Sequence, residues 1–227
     1  MNIMTSTDIE SKLSFPTQLK RRGLMFVLSS PSGAGKTTIA HMLMERDDNI
    51  TASISATTRN RRAEEVDGQH YHFVSPKEFQ DMVDHKEFLE YATVFGHQYG
   101  TPRKPVEQAL EAGTDVLFDI DWQGTRLINE QAAQDVVSVF ILPPSWAELE
   151  NRLQKRGQDS DDEIAFRMSR AVDEISHYAE YDYVIINRDL EDAWRRVQAI
   201  LVAERMKRRR LAGLASFVQE LQPPQDQ

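Results

Sequence analysis

"SSPSGAGKTT", residues 29–38, is the stretch on which the fold turns. It matches the phosphate-loop pattern G-x-x-x-x-G-K-[ST] everywhere except at Ser30, which stands where the first glycine belongs. Such a loop works because successive backbone amides point inward around a phosphate, in conformations that a side chain obstructs. Gly33 and Gly35 supply that freedom. Position 30 only has to leave the preceding strand without crowding the loop, so a small serine is expected to serve. The flanks agree with this reading: "LMFVLS" before the loop has the character of a buried strand, and "TTIAHMLMER" after it has Ile39, Met42 and Leu43 on one helical face. Ser30, Pro31, Ser32, Gly33, Ala34 and Gly35 then form a candidate phosphate cradle. Lys36 would reach the outer phosphates, and Thr37 would offer its hydroxyl to Mg²⁺ at the helix N-terminus. An ordinary Ser/Gly turn shares the composition but not the flanking strand and helix.

Outward from the loop, apolar runs of strand character recur: "TASIS" from Thr51, "YHFV" from Tyr71, "VLFDID" from Val116, "VVSVFIL" from Val136 and "YVIIN" from Tyr183. Most alternate with helical patterns, among them 36–46, 164–178 and 190–210. Three Ser-x-x-Glu capping boxes mark helix starts, Ser75 to Glu78, Ser145 to Glu148 and Ser160 to Glu163. Strands separated by helices predict an α/β fold with a mostly parallel sheet covered on both faces. Residues 1 to about 22 are polar, end in "KRR" and read as a disordered N-terminal arm; "QPPQDQ" reads as a tail.

The composition narrows the chemistry. The 227 residues, 40% of them hydrophobic, suffice for one large domain. With no cysteine, a disulfide framework, a thiolate nucleophile and cysteine-ligated metal sites are excluded, and a reducing, cytoplasmic setting is expected. No apolar run approaches the ~18 residues of a membrane span, and the first twenty residues lack the order of a signal peptide. A net charge of -9 argues against broad binding to nucleic acid or an anionic membrane, so any phosphate must be held by a local cluster.

Such clusters exist. "VLFDID" ends a strand in Asp119 and Asp121, and a strand-end aspartate near a phosphate loop commonly helps hold Mg²⁺; the pair equally suits strand-end capping. "TTRNRR" places Arg59, Arg61 and Arg62 just beyond a strand, where guanidinium forks suit a second phosphate. Arg152, Arg156 and Arg167 surround "RGQDSDDE", which reads as a movable flap over a transferring phosphoryl group. "MKRRR", ending at Arg210, has no such context and reads as solvated helix charge. His70 and His72 have metal-ligand spacing but no evident third ligand.

Taken in order, "SSPSGAGKTT", "SATTRNRRAEEVDGQHYHFVS", "EFLEYATVFGHQYGT", "DIDWQG" and "RGQDSDDEIAFRM...SHYAEYDYVIIN" resemble the guanylate kinase family over about residues 23–204. The resemblance implies a P-loop kinase core with a mostly parallel sheet flanked by helices, a small mobile GMP-binding subdomain at about 55–103 and a lid at about 145–170. Residues 205–227 would be a helix end and tail. It implies ATP-dependent phosphorylation of GMP, and of dGMP, to the diphosphate with Mg²⁺, by direct in-line transfer in purine nucleotide metabolism. Arg59, Arg62, Tyr71 and Tyr99 would hold the GMP phosphate. Ser55, Glu90 and Asp121 would meet guanine, and Thr101 would lie near the nucleotide. Asp119 would assist the magnesium, Arg152, Arg156 and Arg167 would be lid arginines acting with Lys36 in catalysis, and Asn187 would sit near adenine. ATP and GMP are the expected partners, without nucleic acid or membrane; self-association is left open. Two other readings stay available: another nucleoside monophosphate kinase, and a non-catalytic module of the same fold that binds phosphopeptides.

Overall fold

The computed structural model describes residues 19–94, 96–155 and 161–221. In chain order its strands are β1 Met25–Ser29, β2 Ile50–Ala52, β3 Ala56–Thr57, β4 His72–Phe73, β5 Phe88–Val94, β6 His97–Pro102, β7 Asp115–Asp119, β8 Val136–Leu142 and β9 Tyr183–Ile186. Its helices are α1 Lys36–Arg46, α2 Pro76–Asp84, α3 Arg103–Glu111, α4 Trp122–Ala132, α5 Trp146–Lys155, α6 Asp161–Ser176, α7 Leu190–Arg205 and α8 Leu214–Glu220.

Five strands in the order β2-β7-β1-β8-β9 form a sheet in which every pairing is parallel. The central strand β1 is buried on both faces, which is why it reads as a continuous apolar run. Alternation along it sorts the core: Phe26 and Leu28 pack with Ile39, Leu43 and Trp194 on one face, Met25 and Val27 with Val106, Leu110 and Ile128 on the other. The α/β architecture expected from the sequence is therefore present.

A second, four-stranded sheet has the order β4-β3-β6-β5 and is mostly antiparallel. Its helix α2 starts with a complete capping box: Ser75 Oγ accepts from Glu78 N–H at 3.2 Å and the Glu78 carboxylate accepts from Ser75 N–H at 2.7 Å. Phe79 from that helix stacks on Phe88 with centroids 4.6 Å apart, tying helix to sheet. At the start of α5 only half of the expected box forms, because Ser145 Oγ accepts from Glu148 N–H while the Glu148 carboxylate turns to Arg152. The third, at Ser160, lies outside the described residues.

The sequence reading differs from the structure at several elements. "TASIS" is not one strand: the chain leaves the core sheet after Ala52, is last tied to it by Ser53 N–H donating to Leu117 O at 2.8 Å, and begins pairing in the second sheet at Ala56. It returns where β6 runs directly into α3 at Arg103. Residues 53–55 and the Pro102/Arg103 junction are thus two tethers, and both border a cleft of about 200 Å³ that also takes in Thr51, Pro105 and Val106. The "YHFV" strand shortens to His72–Phe73, and the expected helix 164–178 gives way after Ser176 to a 3₁₀ turn, His177–Glu180.

The expected helix 190–210 ends at Arg205, and a 3₁₀ turn, Arg208–Arg210, follows. That turn carries Arg210 inward to 2% exposure beside Glu204, so the reading of "MKRRR" as wholly solvated charge fails at its last residue. Arg210 O accepts from Arg22 N–H at 2.7 Å. Next to it, Asp115 is fully buried and collects Arg21, Arg205 and the Leu24 N–H, with Arg205 also reaching Asp47. Removing one member of a buried ion cluster strands the others. Asp115→Ala is therefore expected to lower the unfolding free energy by about 3–5 kcal/mol, read from urea denaturation. A loss under about 1 kcal/mol would show the guanidinium groups to be solvated without it.

Candidate active site

The phosphate loop joins the C-terminal end of β1 to α1. Gly33 and Gly35 have φ values of 94° and 102°, in the region that side chains disfavour. A Cβ on Gly35 would also lie 2.4 Å from Asn187 Nδ2. Among the described residues Lys86 is the only non-glycine with positive φ, so Ser30 needs none of the freedom of the glycine it replaces. Its Oγ donates to Pro31 O at 3.0 Å.

Lys36 projects from the first turn of α1 and pairs with Asp119 at the end of β7. Thr37 is exposed beside it. These side chains border a polar cleft of about 270 Å³ that also includes Ser32, Asp121 and Glu174. Asp121 does not continue the strand; it is the N-cap of α4, its Oδ1 accepting from Gly124 N–H at 3.0 Å. The loop is buttressed from below. Asn187 is buried, with Nδ2 donating to Ala34 O at 2.8 Å, and Arg152 Nη2 donates to Asn187 O at 3.1 Å. Arg167 Nη1, from α6, donates to Ser32 Oγ at 3.2 Å. Arg156 lies outside the described residues.

The second sheet presents a different constellation. Arg59 follows β3 and lies over the Tyr71 ring at 5.5 Å, while Tyr71 and Tyr99 meet edge to face at 6.0 Å. Its guanidinium is held by the Glu65 carboxylate through two hydrogen bonds of 3.0 and 2.7 Å, and Arg62 N–H donates to the same carboxylate at 2.8 Å. The Arg59 fork, then the Arg62 amide, hold the Glu65 carboxyl down to about 2. Glu65 first, and Tyr99 after it, hold the Arg59 guanidinium above its usual range. The Arg62 side chain is exposed.

Glu90 on β5 stands opposite Thr101 on β6, whose Oγ1 donates to Glu90 Oε1 at 2.7 Å. Burial pushes the Glu90 carboxyl above its usual range against that hydrogen bond, and the charge of Asp121 adds to the rise. Asp121 therefore belongs to both neighbourhoods, bordering the phosphate cleft and acting on Glu90. Ser55 lies in the first tether, its carbonyl accepting from His72 N–H at 2.9 Å. Two carboxylates of this region, Glu65 and Glu174, were not picked out in the sequence. Glu174 follows Arg167 by seven residues, two helical turns, which puts both on one helix face but does not by itself mark a site residue; Glu65, in a loop, lacks even that spacing.

The family model for guanylate kinase matches residues 22–204. The chain is 61% identical over 204 residues to a guanylate kinase of Nitrobacter winogradskyi, covering 90% of this chain and 93% of that protein. It is 57% identical over 208 residues to one from Paramagnetospirillum magneticum, with 92% and 97% covered. A crystal structure of guanylate kinase from Anaplasma phagocytophilum matches with a TM-score of 0.72 at 41% identity, covering 92% of this chain and all of that one.

Proposed function

The chain belongs to the guanylate kinase family, and from that premise we propose how its residues carry out the ATP-dependent phosphorylation of GMP. The observation that carries the proposal is the shared position of Asp121. It borders the phosphate cleft and its charge reaches Glu90, so a base read by Glu90 would lie close to the donor site.

In this reading residues 30–35 form the cradle, and their backbone N–H groups, which Pro31 lacks, hold the donor phosphates together with Lys36. Arg59, Arg62, Tyr71 and Tyr99 receive the GMP phosphate, which takes the place of the Glu65 carboxylate on the Arg59 fork. Glu90, Ser55 and Asp121 read guanine, with Thr101 fixing the Glu90 rotamer. Arg152, Arg156 and Arg167 belong to a lid over about residues 145–170, and Asn187 supports the loop from beneath, next to the expected adenine side. The acceptor phosphate is already an anionic nucleophile, so direct in-line transfer needs alignment and charge neutralisation rather than a general base. Closure of the subdomain at about 55–103 and of the lid supplies both and excludes water.

Mg²⁺ fits the oxygen set present. Thr37 Oγ and Asp119 lie on facing elements beside Lys36, and no group of three potential His, Asp or Glu ligands forms among the described residues. An ion that arrives with substrate phosphates needs only such a sparse set. When bound it would neutralise charge on the donor oxygens. We further propose that dGMP is accepted, that the protein acts in purine nucleotide metabolism, and that it works in the cytoplasm; no described helix is long and apolar enough to cross a membrane.

A coupled assay pairing ATP with GMP, dGMP, AMP, CMP and UMP tests the reading. GMP should be turned over with the highest efficiency, and equal use of AMP would remove the guanine assignment. Within the site, Arg59→Ala should raise KM for GMP about tenfold or more with little change in KM for ATP, whereas Arg167→Ala should act mainly on kcat. The reverse pattern would exchange the two roles.

A further inference from the structure

Glu174 has no part in the roles assigned above, yet it touches the loop that defines the donor site. It shares a face of α6 with Arg167, two turns earlier, and the two side chains converge on one residue. Arg167 Nη1 donates to Ser32 Oγ at 3.2 Å, and the Ser32 N–H donates to Glu174 Oε2 at 3.3 Å. Inward-facing amides of such a loop are the groups that a nucleotide phosphate engages. The Ser32 N–H belongs to that loop, and the carboxylate on it borders the same cleft as Lys36 and Thr37, a position suited to an anion.

We propose that Glu174 is a built-in substitute for the donor phosphate, which holds the Ser32 amide in the free enzyme and is displaced when ATP enters. The carboxylate and the phosphate are like charges competing for one donor, so they do not share it. Displacement releases the Glu174 bond between α6 and the loop, on the helix that also carries Arg167. Occupancy of the donor site is thereby coupled to the position of α6, because ATP favours the arrangement in which Glu174 has withdrawn. Burial raises the Glu174 carboxyl above its usual range, opposed by the Ser32 amide and the charges of Arg170 and Lys36, with Asp121 adding to the rise. A group so placed is readily displaced.

The inference rests on the cleft being the ATP site, and the test keeps the two apart. Calorimetric titration of wild-type protein, Glu174→Gln and Glu174→Ala with pyrophosphate, ATP and GMP should give pyrophosphate and ATP binding about tenfold tighter in both variants, with GMP affinity within about twofold of wild type. A merely structural glutamate would loosen the loop on removal and weaken phosphate binding. Melting temperatures identify any variant that fails to fold, and either folded variant suffices. Unchanged or weaker pyrophosphate binding in a folded variant, or equal tightening toward GMP, overturns the inference. Wild-type protein that binds no ATP overturns the proposed function instead.

Discussion

Lys36→Met is expected to lower kcat by on the order of 10²–10³-fold while leaving the melting temperature close to wild type. The ammonium is a point charge on the first turn of α1, aimed into the phosphate cleft and balanced by Asp119, which is 40% exposed. Phosphoryl transfer asks little covalent work of a protein, so removing a charge that lies on the transferring group acts directly on the barrier. Stability should scarcely change, since Asp119 can be hydrated once its partner is gone. Methionine keeps the length of the stem, which separates the charge from the packing. Stopped-flow turnover together with a thermal melt decides the matter: a folded variant with kcat within about threefold of wild type would remove Lys36 from the chemistry.

Glu90→Gln should lower kcat/KM for GMP by on the order of 10²-fold and narrow the preference for GMP over AMP, with KM for ATP little changed. Guanine presents two adjacent donors, its ring N–H and its exocyclic amine, which a carboxylate matches with two acceptors. Thr101 Oγ1 donates to Glu90 Oε1 at 2.7 Å, and a carboxylate has further lone pairs for the base. Adenine presents a ring nitrogen lone pair instead, so the carboxylate would face an acceptor and stay partly unpaired. Glutamine turns one acceptor into a donor and sets it against a donor of guanine. Retention of both efficiency and selectivity would falsify the assignment and move base reading to Ser55 and Asp121.

The phosphate loop was legible because its requirements are local: two positions of positive φ, a buried strand before them and a helix after. The central sheet was legible because strands covered on both faces are apolar nearly throughout, as β1 and β8 are apart from Ser29 and Ser138. The β5–β6 hairpin was not marked as strand from composition, and its physics explains why. Glu90, Tyr99 and Thr101 put polar groups where a core-facing strand would carry apolar ones, so the alternation that marks a half-buried strand is broken by residues proposed here to contact the nucleotide. Glu65 and Glu174 were illegible for another reason. Nothing in the type or spacing of a glutamate tells whether it faces solvent or an amide of a loop distant in the chain, as Glu174 faces Ser32. Arg210 belongs with them, since its burial depends on where a 3₁₀ turn directs it.

The two tethers at residues 53–55 and Pro102/Arg103 leave and re-enter the core beside a single cleft. Everything between them has its own sheet and its own small apolar centre of Ala56, Phe79 and Phe88. The residues proposed above to receive GMP lie between those crossings, apart from Asp121, which belongs to the core with the phosphate loop. Such an arrangement is a cassette. Recombination that exchanges it wholesale would rejoin the parent chain at two neighbouring points, provided it keeps Leu89 of β5, which packs into the core with Met25, Val27 and Ile128. On the proposed division of the site, acceptor choice would then evolve, or be grafted from one nucleotide kinase to another, on its own timetable, with the half proposed to handle ATP inherited intact.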